Sequence, residues 1–553
     1  MWAGLTTSRG YLLCGQGQAR VNAEMLLAPQ YAHLHRSFSA QVSPRQSDLL
    51  LVAGSVNRRL GSAILRLSRQ LAEPAQCLVV GSEAGLPQLN SPIYPGNIPI
   101  NKMLPATAQV APKANSSEEI AAALNSLPPL LTEADFNFAG ATEGPGTLVP
   151  LRRAEEHELA TEDLTLSIGP EHPAIYGPLR LILILDGEQV AAVQADPGYA
   201  HRGLEKAVEG VRPSQVVAFG EALDGLAPLT GATVVAQALE SLLSFEPLPM
   251  RAAYLRLVAL EIERIASHLF ATARLLRTLA LAGQANQLLG IRHKIVEALE
   301  AFTGNPTRFS KPAGGYIVPG GVDNDATKEA SLLLQEAISP LPNWVRQKLD
   351  PPLRRQWLSR YSFESRLRNI GTLTAENATA WGVSGPNLRA SGVNFDGRTL
   401  NFNPNFNNPN LAYQALEFRP ATIYQGDCLA RYRLRLIEIA VSATLVKAAL
   451  DNLPSGLHRI SSFEVDQARF NFDPAQSPAE VSSWVESPRG LLGAHLSLSS
   501  NSNKGSIVVE RLHFSSPSWR HYSLLPDLLV NERLADALVI INTLDIAPDE
   551  AER

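Results

Sequence analysis

Cysteine is scarce: the chain has three, Cys14, Cys77 and Cys428, far apart and without a C-x-x-C pair. A thiolate-held zinc or iron–sulfur site needs about four ligands, so sulfur-based metal chemistry and a disulfide framework are both excluded. Charge is also thin. Only 18 % of residues are Asp, Glu, Lys or Arg, the net charge is −5, and the basic residues are dispersed, which removes the electrostatic footprint that nucleic acid requires. Long apolar runs are missing as well: "LRLILIL" is far shorter than the roughly 20 residues of a spanning helix, and "MWAGLTTSRGYLL" lacks the build of a signal peptide. The chain is therefore expected not to be transmembrane itself, and to be soluble and cytoplasmic. What is abundant is apolar residues, 45 % of 553, which rules out a disordered chain and predicts two to four domains, a sizeable core and partners covering part of the surface.

Residues 48–54, "DLLLVAG", form a predicted buried strand, followed by Leu60, Ile64, Leu67 and Leu71 at helical spacing and a second strand at 77–81. This βαβ pattern predicts a small doubly wound, flavodoxin-like α/β domain over 1–125, with ligand positions at Gly54-Ser55 and Gly81-Ser82-Glu83 beyond the strand ends. Residues 126–163 are rich in Gly, Pro and acidic residues and are predicted to be a linker. The segment 164–553 then begins with two strand-like runs around Asp186-Gly187, a hairpin turn. A helix is predicted over 251–282, where Leu255, Val258, Ile262, Ile265, Leu269, Thr272 and Leu276 make one packed face. Glu261, Arg264 and His268 share a neighbouring face and are expected to form a surface or inter-helix ion pair beside a satisfied histidine. "NFNPNFNNPN" at 401–410 predicts a loop and 426–453 a further long helix.

The blocks "LTLSIGPEHPAIYGPLRLILILDGE" (164–188), "GYAHRGLEKAVE" (198–209), "YLRLVALEIERIASHL" (254–269), "PGGV" (319–322), "GVSGPNLRASGV" (382–393), "GDCLARYRLRLIEI" (426–439), "VESPRGLLG" (485–493) and "LADALVIINTLDI" (534–546) resemble, in order and spacing, one family. It joins the 49 kDa (D-type) subunit of respiratory complex I to the large subunit of group 4 nickel–iron hydrogenases. Segments 25–60 and 75–85 resemble the B-type complex I subunit and the hydrogenase small subunit. The resemblance implies a fusion: a small-subunit-like α/β domain at 1–125, then a mostly helical α+β domain of the hydrogenase large-subunit type at 164–553.

The same resemblance implies that the metal and quinone chemistry has been dropped. The first hydrogenase C-x-x-C follows a glutamate by three residues; here "EALDGLA" keeps Glu221 and has Asp224 and Ala227 in the cysteine places. The second pair, D-P-C-x-x-C, corresponds to Asp545, Ile546, Ala547, Pro548, Asp549 and Glu550. In complex I relatives a histidine of "HPAxHG" and a tyrosine of "LDY" hold the quinone headgroup; "HPAIYG" and "LDG" place Tyr176 and Gly225 there and keep His172. The cluster cysteine of the small subunit is replaced by Glu83 in "GSEAG", and Arg202 and His268 are expected at the cluster junction, paired with acids such as Glu83.

No [4Fe–4S] cluster and no nickel–iron centre are expected. The carboxylates Asp224, Asp545, Asp549 and Glu550 are expected to share one space, balanced by Arg202 or His201 or by a hard cation such as magnesium. The expected function is that of a redox-silent fused subunit of a complex I-like or hydrogenase-like ion-translocating complex. It would be peripheral to the cytoplasmic membrane and partnered by antiporter-like membrane subunits. The alternatives are a subunit that reduces quinone through a modified site, and a ligand-sensing or assembly protein.

Overall fold

In the computed structural model the described residues are 164–553, apart from 243–247, 305–314, 350–359, 401–410, 461–478 and 501–506, and within 1–163 five strands, Ser47 and part of one helix at 60–71. The strands are β1 (Arg9–Gly15), β2 (Phe38–Ala40), β3 (Leu49–Ala53), β4 (Gln76–Val80) and β5 (Ala108–Val110). They pair in the order β2-β1-β3-β4-β5, parallel throughout. All five residues of β3 are buried, as a central parallel strand covered on both faces must be. Leu60, Ile64 and Leu71 join Cys14, Leu50, Val52, Cys77 and Val79 in one apolar cluster with Leu67 at its edge, so the 4-3-4 spacing does mark a packed face. Cys14 and Cys77 are core residues; burial pushes the Cys77 thiol up to about 12, which keeps it protonated. The positions Gly54-Ser55 and Gly81-Ser82-Glu83, the segment 126–163 and the 401–410 stretch lie outside the described residues.

The second part opens with an antiparallel sheet, β6 (Leu164–Ile168), β7 (Leu181–Asp186) and β8 (Gln189–Ala195), with the β7–β8 turn made at Gly187, φ 58°. Alternate burial along β7 seats Leu181, Leu183 and Leu185 on the core. A short helix α1 (Val217–Glu221) meets α2 (Pro228–Leu242) backbone to backbone: a Cβ on Gly231 would lie 2.0 Å from the Gly220 carbonyl oxygen. That close approach fixes the loop 222–227 between them.

The long helices form the centre. Helix α3 (Met250–Thr278) is followed by α4 (Ala282–Thr303), so the predicted 251–282 helix ends earlier than its apolar pattern suggests. The break is backbone chemistry that sequence does not announce, with Ala280 at φ 59°. Helix α5 (Leu341–Leu349) packs beside α6 (Cys428–Asp451), which starts where the Asp427 side chain accepts from Ala430 N. Two-residue strands β9 (Ile317–Val318) and β10 (Gly321–Val322) and the meander β11 (Ala479–Glu486), β12 (Leu491–Ser500) and β13 (Ile507–Ser515) flank them. The chain closes with α7 (Leu534–Leu544) and the one-turn α8 (Pro548–Ala551). No helix among the described residues is long and apolar enough to cross a membrane.

Candidate functional site

The predicted positions do converge. Asp545 caps α7 in the left-handed region, φ 57°, a conformation Asp tolerates better than most residues. This turn directs α8 back against the 222–227 loop and the 169–178 loop. Pro548 lies against Gly177, where a Cβ would come within 3.2 Å of its ring. Asp549 and Glu550 are buried, so the final turn is packed rather than frayed.

Asp224 Oδ1 accepts from Leu226 N at 2.9 Å, while Oδ2 is bonded to Arg489 Nη1. Arg489 also donates from Nε to the Asp545 carbonyl at 3.0 Å, with the Asp545 carboxylate 3.7 Å away. Asp549 Oδ2 accepts long hydrogen bonds of 3.4 Å from Gly225 N and from the Tyr176 hydroxyl. Glu550 accepts from the Ser518 hydroxyl. Tyr176, the residue at the expected quinone-histidine place, packs edge-on against Phe270 at 5.7 Å with Arg274 5.9 Å from its ring. His172 is half-buried, and its Nδ1 accepts from Ala174 N, which leaves the ring proton on Nε2. Burial, then Arg274, lowers its pKa.

Two expectations need correction. The guanidinium that meets the carboxylates is Arg489; Arg202 donates to Leu223 O at 2.8 Å and His201 Nδ1 lies 2.7 Å from Glu552 O. Arg489 sits in a turn that the sequence marks only as Pro488-Arg489-Gly490. His268 faces Glu438 of α6 at 2.9 Å, a buried residue 170 positions away, and Glu83 lies outside the described residues. The expected Glu261–Arg264 ion pair beside a hydrogen-bonded His268 is present, and it belongs to a fully buried network: Glu261 accepts from Arg398, Arg264, Tyr413 and Ser442, and Arg389 pairs with Asp396, Glu438 and Glu486.

Burial raises the Asp224 carboxyl to about 6; Asp549 and Asp545 add to this and Arg489 opposes it. Burial likewise raises Glu550 to about 8, with Asp224 contributing, and Glu221, which accepts from Gly315 N at 2.5 Å, to about 7. Neutral carboxyls are thus part of the site's charge balance at pH 7. A carboxyl whose pKa is raised by folding stabilises the fold fully below its unfolded pKa, and that stability is lost as pH rises through the folded value. Glu550→Gln mimics the protonated form, so its stability relative to the parent is expected to rise between pH 4.5 and about 8. Urea unfolding at several pH values checks this, and a pH-independent difference would contradict it.

The residues do not fit a nickel–iron centre. At the four cysteine places, Ala227 and Ala547 offer no side-chain donor, Asp224 is engaged by Arg489 and Glu550 by Ser518, and no thiolate is present. Among the described residues no three His, Cys, Asp or Glu side chains are placed to hold a metal ion.

Residues 284–553 match the family model described as respiratory-chain NADH dehydrogenase, 49 Kd subunit. The chain is 31 % identical to a D-type NADH-quinone oxidoreductase subunit (numbered 1) of Chloroherpeton thalassium, over 72 % of this chain and 89 % of the relative. It is 30 % identical to the D-type subunit of Desulforamulus reducens (71 % and 99 % covered) and 32 % to a D-type subunit (numbered 2) of Rhizobium etli (73 % and 98 %). Its fold is similar to a chain of the membrane-bound sulfane sulfur reductase, an archaeal respiratory membrane complex, with TM-score 0.61 and 27 % identity over 71 % of this chain and all of that one. With these relatives matched over nearly their whole length, the chain belongs to the 49 kDa (D-type) subunit family of NADH-quinone oxidoreductases.

Proposed function

We propose that this protein is a redox-silent core subunit of a complex I-like or hydrogenase-like membrane complex, in which it braces or couples ion-translocating subunits. The observation that carries this reading is the buried Asp224–Arg489 ion pair, with Asp224 at a place where the family resemblance puts a metal ligand and Asp545, the aspartate that leads the second ligand motif, against the same guanidinium. Tyr176 and Gly225 N, the groups at the two quinone-donor places, are both turned to Asp549. Both bonds are long, 3.4 Å, and Arg489 Nη2, Asp545 Oδ2 and Asp549 Oδ1 have no hydrogen-bond partner among the described residues, so the ion pair rather than full polar satisfaction carries the reading. No [4Fe–4S] cluster and no nickel–iron centre are part of this proposal. The parallel strand order β2-β1-β3-β4-β5 supports a flavodoxin-like, small-subunit-like domain fused ahead of the family segment, with a linker over 126–163.

The expected partners are antiporter-like membrane subunits, with the chain held peripherally on the cytoplasmic side. Affinity purification of the tagged full chain from gently solubilised membranes tests this. The expected result is stoichiometric recovery with membrane subunits of that type. Recovery as a lone protein from the soluble fraction would overturn it.

A further inference from the structure

An open groove of about 650 Å³ runs between α5 and α6 on a face remote in sequence from the carboxylate site. Its walls are apolar: Val345 and Leu349 of α5, Ile437 and Val441 of α6, and Leu416 and Phe418 from the segment crossing one end. The α6 wall follows helical spacing, Ile437, Val441, Thr444 and Ala448, so a single stripe of that helix faces the groove. The Phe418 wall is held from within, because the Arg398 guanidinium stacks on its ring at 4.2 Å and is itself tied to Asp396 and Glu261. The groove is therefore a fixed feature of the helical core.

Its charges are unbalanced in one direction. Arg346 and Arg419 belong to the lining, and neither forms an ion pair among the described residues; Arg346 bonds to the neutral Asn343 side chain. Arg433 and Lys447, elsewhere on α6, are paired with Glu364 and Asp451. Glu417, also in the lining, leaves the rim net positive.

We infer that this groove seats an amphipathic helix of another subunit of the complex, with its apolar face on α5 and α6 and its carboxylates against Arg346 and Arg419. Two helices walling an open slot are completed by a third, through the ridge-and-groove packing of helical bundles. The stripe from Ile437 to Ala448 covers 12 residues, about 16 Å, which seats roughly three turns of helix. Contiguous apolar surface rimmed by charge is the usual mark of a protein interface.

The inference rests on the chain being a complex subunit, not on the carboxylate site being redox-silent. The test places a photoreactive phenylalanine analogue at Thr444 in the full complex purified from membranes, with the cross-linked peptide identified by mass spectrometry. The expected result is one peptide from a different subunit, with apolar residues three to four apart and at least one carboxylate beside them. Arg346→Glu combined with Arg419→Glu is expected to lower the cross-link yield about tenfold, with the melting temperature of the isolated chain unchanged. Cross-linking only to this chain (its own 350–359 segment or a second copy), cross-linking only to lipid, no cross-link, or a yield indifferent to the double reversal would each overturn it. Failure to isolate any complex would instead count against the proposed function.

Discussion

Arg489→Met is expected to lower the free energy of unfolding by about 3–5 kcal/mol, because it removes one partner of a buried pair and leaves the other. Arg489 is fully buried, and Asp224 and Asp545 both lie against it. Methionine fills much the same volume, so the loss reports charge rather than a cavity. Asp224 can take up a proton when its partner is gone, since burial already holds it near 6, and this relief sets the upper end of the loss. The double variant Asp224→Leu/Arg489→Met separates pairing from packing. Replacing both partners with apolar groups is expected to recover at least half of the loss, as buried ion pairs are often matched by hydrophobic substitutes. Chemical denaturation of the three variants beside the parent measures the cycle. An Arg489→Met protein as stable as the parent would show that the pair does not hold the site together.

Glu261→Gln is the second large effect, again about 3–5 kcal/mol. Glu261 has no exposed surface, and its two oxygens accept from Arg398, Arg264, Tyr413 and Ser442. Burial alone would raise its pKa, but Arg398 and Arg264 outweigh burial and bring it down to about 2. A carboxylate depressed by folding stabilises the protein above its unfolded pKa and loses that contribution as pH falls through the folded value. The difference between Glu261→Gln and the parent is therefore expected to be full at pH 6 and to shrink between 4.5 and about 2. A difference that stays constant down that window would mean that shape, not charge, is what Glu261 contributes.

The helical core was legible because packing on a helix repeats every three to four residues. Leu255, Val258, Ile262, Ile265, Leu269, Thr272 and Leu276 are all buried on α3, as their spacing requires. Its end was not legible, since Leu279-Ala280-Leu281 continues the apolar pattern and the left-handed turn at Ala280 has no Gly or Asn to signal it. The site was legible in part. Asp224, Asp549 and Glu550 were brought together by family positions, and Pro548 and Gly225 with them. Arg489 was missed, because 265 residues separate it from Asp224 and a lone arginine in a Pro-Gly turn carries no local signal of a buried partner. The same distance effect hid Glu438 from His268, whose pKa burial lowers despite that carboxylate. Ser518, donor to Glu550, is an ordinary residue in the first turn of a helix, and nothing in its neighbourhood points to the site.

The proposed redox-silent role requires that the chain hold no redox metal. The direct measurement is iron and nickel content of the purified full-length protein, together with the EPR spectrum after reduction. The expected result is a colourless protein with substoichiometric iron and nickel and no cluster signal. Stoichiometric iron with a [4Fe–4S] spectrum, or stoichiometric nickel, would contradict the redox-silent reading.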